Sequence, residues 1–402
     1  MKRKLVRFIG WLFLGLLSIL AIVGFTYLVN PKYVETKVMN TFYPTVNISD
    51  EYKDKIVVEV PEVYELMQIA SSLTETFQND DNLLKSSSSY YQDFRNHFQE
   101  FENHELVLKL NAAFEKNPYG NNQHAIRMLS LNYDLDEYNE LIDKDLFNIN
   151  PATRSFLSFF VFFPSSNADL IEDFAKKSNF KAFYKKHRGY YTKLIENYAE
   201  LCDFKGMQTW LESKFTSKYQ SYRIVFSPLT FGFHSTTSLK NADRSMSQTF
   251  MFVSAPRENI DGMTPQDFEI ASSRSSRVVF TEIDHNYVNP VTDQYLKELD
   301  DAMSDYKKWN GQNGGSYQSK YSTFNEYMTW GVFNLYALET YSKENIDSII
   351  KRETDFITDR RKFIRFREFN KELIRLYISM GKPNIEELYA PIFDWMKKES
   401  KL

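Results

Sequence analysis

Cysteine is nearly missing from this 402-residue chain, which holds one, Cys202, alongside six histidines and 13 glycines. A lone cysteine forms no intramolecular disulfide, no cysteine-ligated zinc site and no iron-sulfur cluster. Six scattered histidines leave room for one or two metal centres at most, so any metal site must draw on carboxylates too. The chain has no match to G-x-G-x-x-G, G-x-x-x-x-G-K-[ST] or G-x-S-x-G, which argues against a Rossmann cofactor domain, a P-loop NTPase and an α/β-hydrolase elbow. What remains is a metal-assisted enzyme, a carboxylate enzyme or a binding protein.

Apolar and aromatic residues are plentiful: 43% are hydrophobic and 16% aromatic, with 34 Phe and 26 Tyr. Such a chain fills a large core and is not disordered, and its length suits one large domain or two intimate ones. The net charge of -4 conceals an asymmetry. Residues 1 to 30 carry Lys2, Arg3, Lys4 and Arg7 and no acid, which leaves 45 basic against 53 acidic residues in the rest. That acidic body makes nucleic acid an improbable partner.

Residues 8 to 29 contain no charge. As a helix they span roughly 30 Å, the thickness of a hydrocarbon core. A cleaved signal peptide has a shorter apolar region ending in small residues, whereas this run exits through Phe25-Thr26-Tyr27-Leu28-Val29. Residues 1–30 are therefore expected to form an uncleaved signal anchor, a transmembrane helix. The four basic residues keep its N-terminus cytoplasmic and export the body to the cell envelope. Residues 31–54 read as a tether.

Residues 55–217 read as a mainly helical N-terminal part. Lys55-Ile56-Val57-Val58-Glu59-Val60 is a short β-rich run, and Pro61 suits the start of a helix reaching about residue 77. Helical spacing then dominates to residue 217, as in Tyr91, Phe94, His97, Phe98 and Phe101. The pattern changes at Tyr222-Arg223-Ile224-Val225-Phe226-Ser227, which alternates with the β period. Residues 228 to 247 read as a turn-rich connection before a paired strand at Thr249-Phe250-Met251-Phe252-Val253-Ser254. Pro265 opens a helical segment through His285, and Pro290 is expected to restart another. A loop over 309 to 322 with Gly311, Gly314 and Gly315 suits a lid. Further helices are expected near 324–341, 343–358, 362–380 and 385–397. The expected fold class is α+β, predominantly helical, with one small antiparallel sheet at the centre.

The segment richest in chemistry is Thr281-Glu282-Ile283-Asp284-His285-Asn286-Tyr287-Val288-Asn289-Pro290. On a helix, Glu282 and Thr281 lie three and four residues before His285 and share its face. Zinc peptidases use this spacing in His-Glu-x-x-His, where two histidines bind the ion and the glutamate activates its water. Here Thr281 stands in place of the first histidine. Glu-x-x-His alone is a weak signal, arising about once by chance in a chain this acidic. The apolar lead-in Val278-Val279-Phe280 strengthens it by burying one side of the helix.

The sequence resembles a bacterial exported-protein family, a domain of unknown function that looks like the gluzincin zinc metallopeptidases. The resemblance rests on Phe226-Ser227-Pro228-Leu229, Gly232-Phe233-His234, Glu282-x-x-His285 running into Val288-Asn289-Pro290, and Asn325-Glu326-Tyr327. It extends loosely from about residue 57 to about residue 395, making residues 218–402 the metallopeptidase-like part. It implies Glu282 as general base and His285 and Glu326 as zinc ligands. Thr281 departs from the pattern, and three repairs stay open. His234 supplies the missing imidazole, or Glu282 becomes a ligand, or the ion is gone and the shell survives as a binding cleft.

The function the resemblance implies is metal-dependent hydrolysis of a peptide or protein ligand. The alternative is a non-catalytic pseudo-peptidase that binds such a ligand. Each residue also has a bland reading. Glu282 suits an exposed helix carboxylate, His285 a helix-surface or capped core histidine, Glu326 an acid in a first helical turn, and His234 a surface loop residue. Asp284, Tyr287 and Asn289 read as supporting groups. Arg360-Arg361-Lys362 reads as a solvated turn.

Overall fold

The structure, a computed structural model, describes residues 40, 43–116, 121–158, 160–256, 260–311 and 317–399. The expected membrane segment at 8 to 29 lies outside them, as do Gly314 and Gly315 of the expected lid. Among the described residues no helix is long and apolar enough to cross a membrane.

The architecture is α+β and mostly helical. Its central sheet has four strands: β1 (Ile56–Glu59), β2 (Ser221–Ser227), β3 (Ser235–Lys240) and β4 (Ser247–Ser254), in the order β1-β2-β4-β3. The sheet is not antiparallel as expected. β1 runs parallel to β2 with Val57 opposite Arg223, and β2 runs parallel to β4 with Ile224 opposite Met251. Only β3 is antiparallel, with Thr236 opposite Met251 of β4. The reason lies in the connection after β2. It contains β3, which forms the hairpin with β4 and leaves β4 to slot in parallel beside β2. Tyr222, Ile224, Val225 and Phe226 of β2 and residues Phe250 to Val253 of β4 are fully buried, as expected for strands covered on both faces. β3, Ser-Thr-Thr-Ser-Leu-Lys, is the polar, half-exposed edge.

Helices pack around this sheet: α1 (Glu62–Ser72), α2 (Asn121–Ser130), α3 (Phe180–Leu201), α4 (Pro265–Thr292), α5 (Lys320–Thr340), α6 (Ile346–Asp355) and α7 (Phe366–Ser379). The stretch from 133 to 148, expected to be helical, instead holds short strands at Tyr133–Leu135, Leu141–Asp143 and Phe147–Asn148. The turn at Asn139, which has φ 63°, closes the hairpin formed by the first two.

α4 positions the candidate site. Thr264 caps its start by accepting from the Asp267 amide at 3.1 Å, and Pro265 occupies the first turn. The helix packs against α3, α5, β3 and β4. It was expected to break at Pro290 but continues to Thr292. Proline lacks the N–H that would bond the carbonyl four residues back. That carbonyl, on Asn286, accepts instead from the Tyr219 hydroxyl. α5 follows a capping box made by Ser319 and Ser322, and fifteen of its residues are buried between α4 and α7. Gly331 lets α7 pack close, because a Cβ there would stand 2.5 Å from Leu373 Cδ2.

Candidate functional site

The second half of α4 faces the edge strand β3 on one side and α5 on another. Asn286 fixes the strand contact by donating from Nδ2 to Thr236 Oγ1 at 2.8 Å. Thr281 is buried, and its hydroxyl turns back onto the helix to donate to the Arg277 carbonyl at 3.0 Å. Glu282 and His285 are half-buried on the exposed side of this turn.

α5 brings Glu326 to the same place. Its Oε1 lies 3.2 Å from His285 Nε2, and its Oε2 lies 3.5 Å from Arg361 Nη2. Trp330 lies one turn along α5 from Glu326. On its far side the His285 ring contacts Asn289 Oδ1 through Nδ1 at 3.4 Å. Arg361 donates to the Tyr317 hydroxyl, and its guanidinium lies 5.2 Å from the Tyr317 ring and 5.8 Å from the Trp330 ring. The result is a chain of groups, His285, Glu326, Arg361 and Tyr317.

Charge is shared unequally across this cluster. Burial pushes Glu282 up to about 7, the negative charge of Glu326 adds to the rise, and His285, Arg361 and Arg277 oppose it. Burial also pushes against ionisation of Glu326, but Arg361 and His285 outweigh it and hold the carboxyl below its ordinary range. For His285 burial favours the neutral ring. The hydrogen bond and charge of Glu326, helped by Glu282, win and raise its proton affinity. Asp284 is fully buried. Burial and the charges of Glu282 and Glu326 lift it well above the carboxylate range, so it keeps its proton.

The residues fit a resident zinc ion at two positions of three. Two donor atoms on one tetrahedral zinc stand about 3.3 Å apart given bonds near 2.0 to 2.1 Å, close to the 3.2 Å between His285 Nε2 and Glu326 Oε1. The third position is the difficulty. The Thr281 hydroxyl is committed to the backbone. His234 lies just before β3, half-buried, next to Phe233, whose carbonyl accepts from Arg127 Nη1 of α2 at 2.6 Å. Among the described residues no group of three or more His, Cys, Asp or Glu side chains is gathered closely enough to hold an ion. Charge adds to the mismatch, because the Arg361 guanidinium already serves Glu326.

Of the residues singled out in the sequence, the fold pairs His285 with Glu326, and Glu282 feels the charges of both. Arg361, expected in a solvated turn, is instead part of the cluster. The chain after α6 widens into a π-helical turn at Phe356–Arg360, and Lys362 takes a left-handed φ of 62°. This reversal lays the guanidinium against Tyr317 and Trp330. No spacing rule connects Arg361 with Glu326, 35 residues earlier, so only the tertiary fold reveals the pair. Comparison with family models, with curated proteins and with solved structures finds no match to this chain.

Proposed function

We propose that this chain is a membrane-anchored, exported protein whose gluzincin-like domain is degenerate and serves as a peptide-binding cleft of the cell envelope. The observation that carries the reading is the state of Glu326. It lies where the resemblance to gluzincins expects a ligand, beside His285, yet both its oxygens already face cationic partners, His285 and Arg361. A dication would have to share that carboxylate with a guanidinium, and the Thr281 hydroxyl offers no third donor. The cleft keeps polar groups able to hold a peptide: Glu282 as an acceptor, Arg361 and Tyr317 as donors, and the β3 edge beside α4 for main-chain pairing.

Metal-dependent peptide hydrolysis is the second reading. Two observations favour it: the 3.2 Å spacing of His285 and Glu326, and the proton affinity of Glu282 near neutrality, where a general base works best. A bound zinc would supply Lewis-acid polarisation. Glu282 would take the proton of the attacking water, and His285 and Glu326 would hold the ion.

Metal analysis and peptide cleavage separate the two. The binding reading expects no zinc retained after dialysis and no cleavage of a peptide library. It also expects that Thr281→His, which restores the missing imidazole, raises zinc retention above that of the parent chain. Stoichiometric zinc in the parent, lost in His285→Ala, together with cleavage abolished by Glu282→Gln, would reject it in favour of the hydrolase.

A further inference from the structure

Helices α1 and α2 pack side by side, and a cavity of about 10 Å³ lies between them. Tyr64, Gln68 and Ser71 of α1 and Gln123, Arg127 and Ser130 of α2 line it, at the spacings of three and four that keep side chains on one face of a helix. Met67, Phe77 and Ile126 supply the apolar part of its wall. A space of this size takes one occupant about as large as a water.

The lining carries more hydrogen-bonding capacity than the protein uses. Among the described residues, Tyr64 Oη, Gln68 Nε2, Gln123 Oε1 and Arg127 Nη2 are buried and have no hydrogen-bond partner. Three of these four atoms are donors. Gln123 Oε1 is the exception, and a half-turn of that amide puts its Nε2 in the same place. The two serine hydroxyls are already committed: Ser71 donates to the Met67 carbonyl at 2.7 Å and Ser130 to the Arg127 carbonyl at 2.9 Å.

Arg127 gives the cavity its charge. The residue is 3% exposed, its Nη1 donates to the Phe233 carbonyl at 2.6 Å, and its guanidinium lies 5.2 Å from the Phe233 ring. Neither partner is an anion. The buried guanidinium of Arg223 stands 2.7 Å from Glu59, and that of Arg361 stands 3.5 Å from Glu326. Among the described residues no carboxylate forms such a pair with Arg127. Burial lowers its proton affinity, and Tyr64 and the more distant charge of Glu282 offset only part of that. The group stays charged all the same, because a guanidinium does not give up its proton near neutrality. A buried cation without a counter-charge is costly, and a counter-ion recovers much of that cost.

We infer that the cavity between α1 and α2 binds one monatomic anion, chloride, against the guanidinium of Arg127. Size and charge select it together. Phosphate, sulfate and carboxylates are too large for a space that takes one water, and water fills the space without neutralising the cation. The site also has a consequence for the fold. Phe233 has a φ of 51°, a region that few side chains favour, and Arg127 holds its carbonyl. The anion steadies the arginine that clamps the turn leading into β3. This site is separate from the peptide cleft and does not depend on it.

Urea denaturation of the full chain at fixed ionic strength, with potassium chloride replaced stepwise by potassium gluconate, tests the inference. Stability is expected to rise with chloride, and above half-saturation each tenfold increase should add about 1.4 kcal/mol. Arg127→Met should abolish the dependence. Gln68→Leu keeps the charge and removes one donor, so it should weaken the dependence, and it carries the test if Arg127→Met does not fold. In crystals grown with bromide, an anomalous peak is expected in the cavity beside Arg127. Equal stability in chloride and gluconate overturns the inference, as does a chloride effect that Gln68→Leu and Arg127→Met both leave unchanged. A cavity without an anomalous peak also overturns it, by showing that water alone occupies the space.

Discussion

Glu65 gives the most quantitative test of this structure, because it places an acid in the core far from the candidate site. It lies on α1 with no exposed surface, and its Oε1 accepts from the Tyr90 hydroxyl at 2.7 Å, which in turn meets the Tyr191 hydroxyl at 2.7 Å. Burial raises its pKa from 4.5 to about 7, only partly offset by the Tyr90 and Ser227 hydrogen bonds. In the unfolded chain the carboxyl ionises near 4.5, so between that value and about 7 the folded chain holds a proton that the unfolded chain has released. Stability must fall as pH rises through this window, and the penalty is complete above it. At 1.36 kcal/mol per pKa unit, the shift amounts to about 3 kcal/mol. Glu65→Gln keeps an acceptor for Tyr90 and removes the titration. Urea denaturation followed by tryptophan fluorescence, at about pH 4.5 and about pH 8, should show the parent losing about 3 kcal/mol more than the variant across the interval. Glu282 titrates in the same range but is common to both chains and cancels in the difference. Parallel pH profiles for the two would falsify the buried, protonated carboxyl.

Gly331→Ala should lower the melting temperature, since the new methyl meets Leu373 Cδ2 and overpacking of this kind costs about 1 to 3 kcal/mol; Leu373→Ala in the same chain should recover part of the packing strain in a double-mutant cycle. Asp284→Asn replaces a carboxyl already held protonated by burial, so it should unfold at no lower denaturant concentration than the parent at neutral pH. Arg223 is buried within the sheet, donates to Glu59 at 2.7 Å and lies 4.1 Å from the Tyr52 ring. Arg223→Ala should cost about 1.5 to 3 kcal/mol in denaturation, the worth of a hydrogen bond to a charged group, because the Glu59 carboxylate left behind is partly exposed and can be hydrated.

Helix α4 was more legible in the sequence than the sheet was. Glu282 and His285 could be placed on one face because helical spacing is a local rule, and Pro265 and Thr264 mark the start of that helix in plain view. The parallel arrangement of β2 and β4 was hidden, because strand direction depends on where the intervening polar segment goes. Ser235 to Lys240 is polar, without apolar alternation to mark a strand, and it pairs along the edge that β4 offers. Pro290 misled for a related reason. A proline stops a helix when its orphaned carbonyl finds no donor, and the donor here, Tyr219, comes from a residue 67 positions from Asn286. Arg361 joined the site through the same kind of distant contact, which residue spacing does not encode.

The Tyr219 hydroxyl makes a helical hydrogen bond on behalf of a helix to which it does not belong. The direction of α4 just after His285 is therefore set jointly by the loop leading into β2 and by a proline in the helix itself, and the two form one device. Removing the hydroxyl leaves the Asn286 carbonyl bare and frees the helix to bend one residue past the histidine. Restoring an N–H at position 290 makes the hydroxyl redundant. The aim of the cleft can thus be altered by substitutions that touch none of its groups, and a change at either partner is to be judged only together with the other.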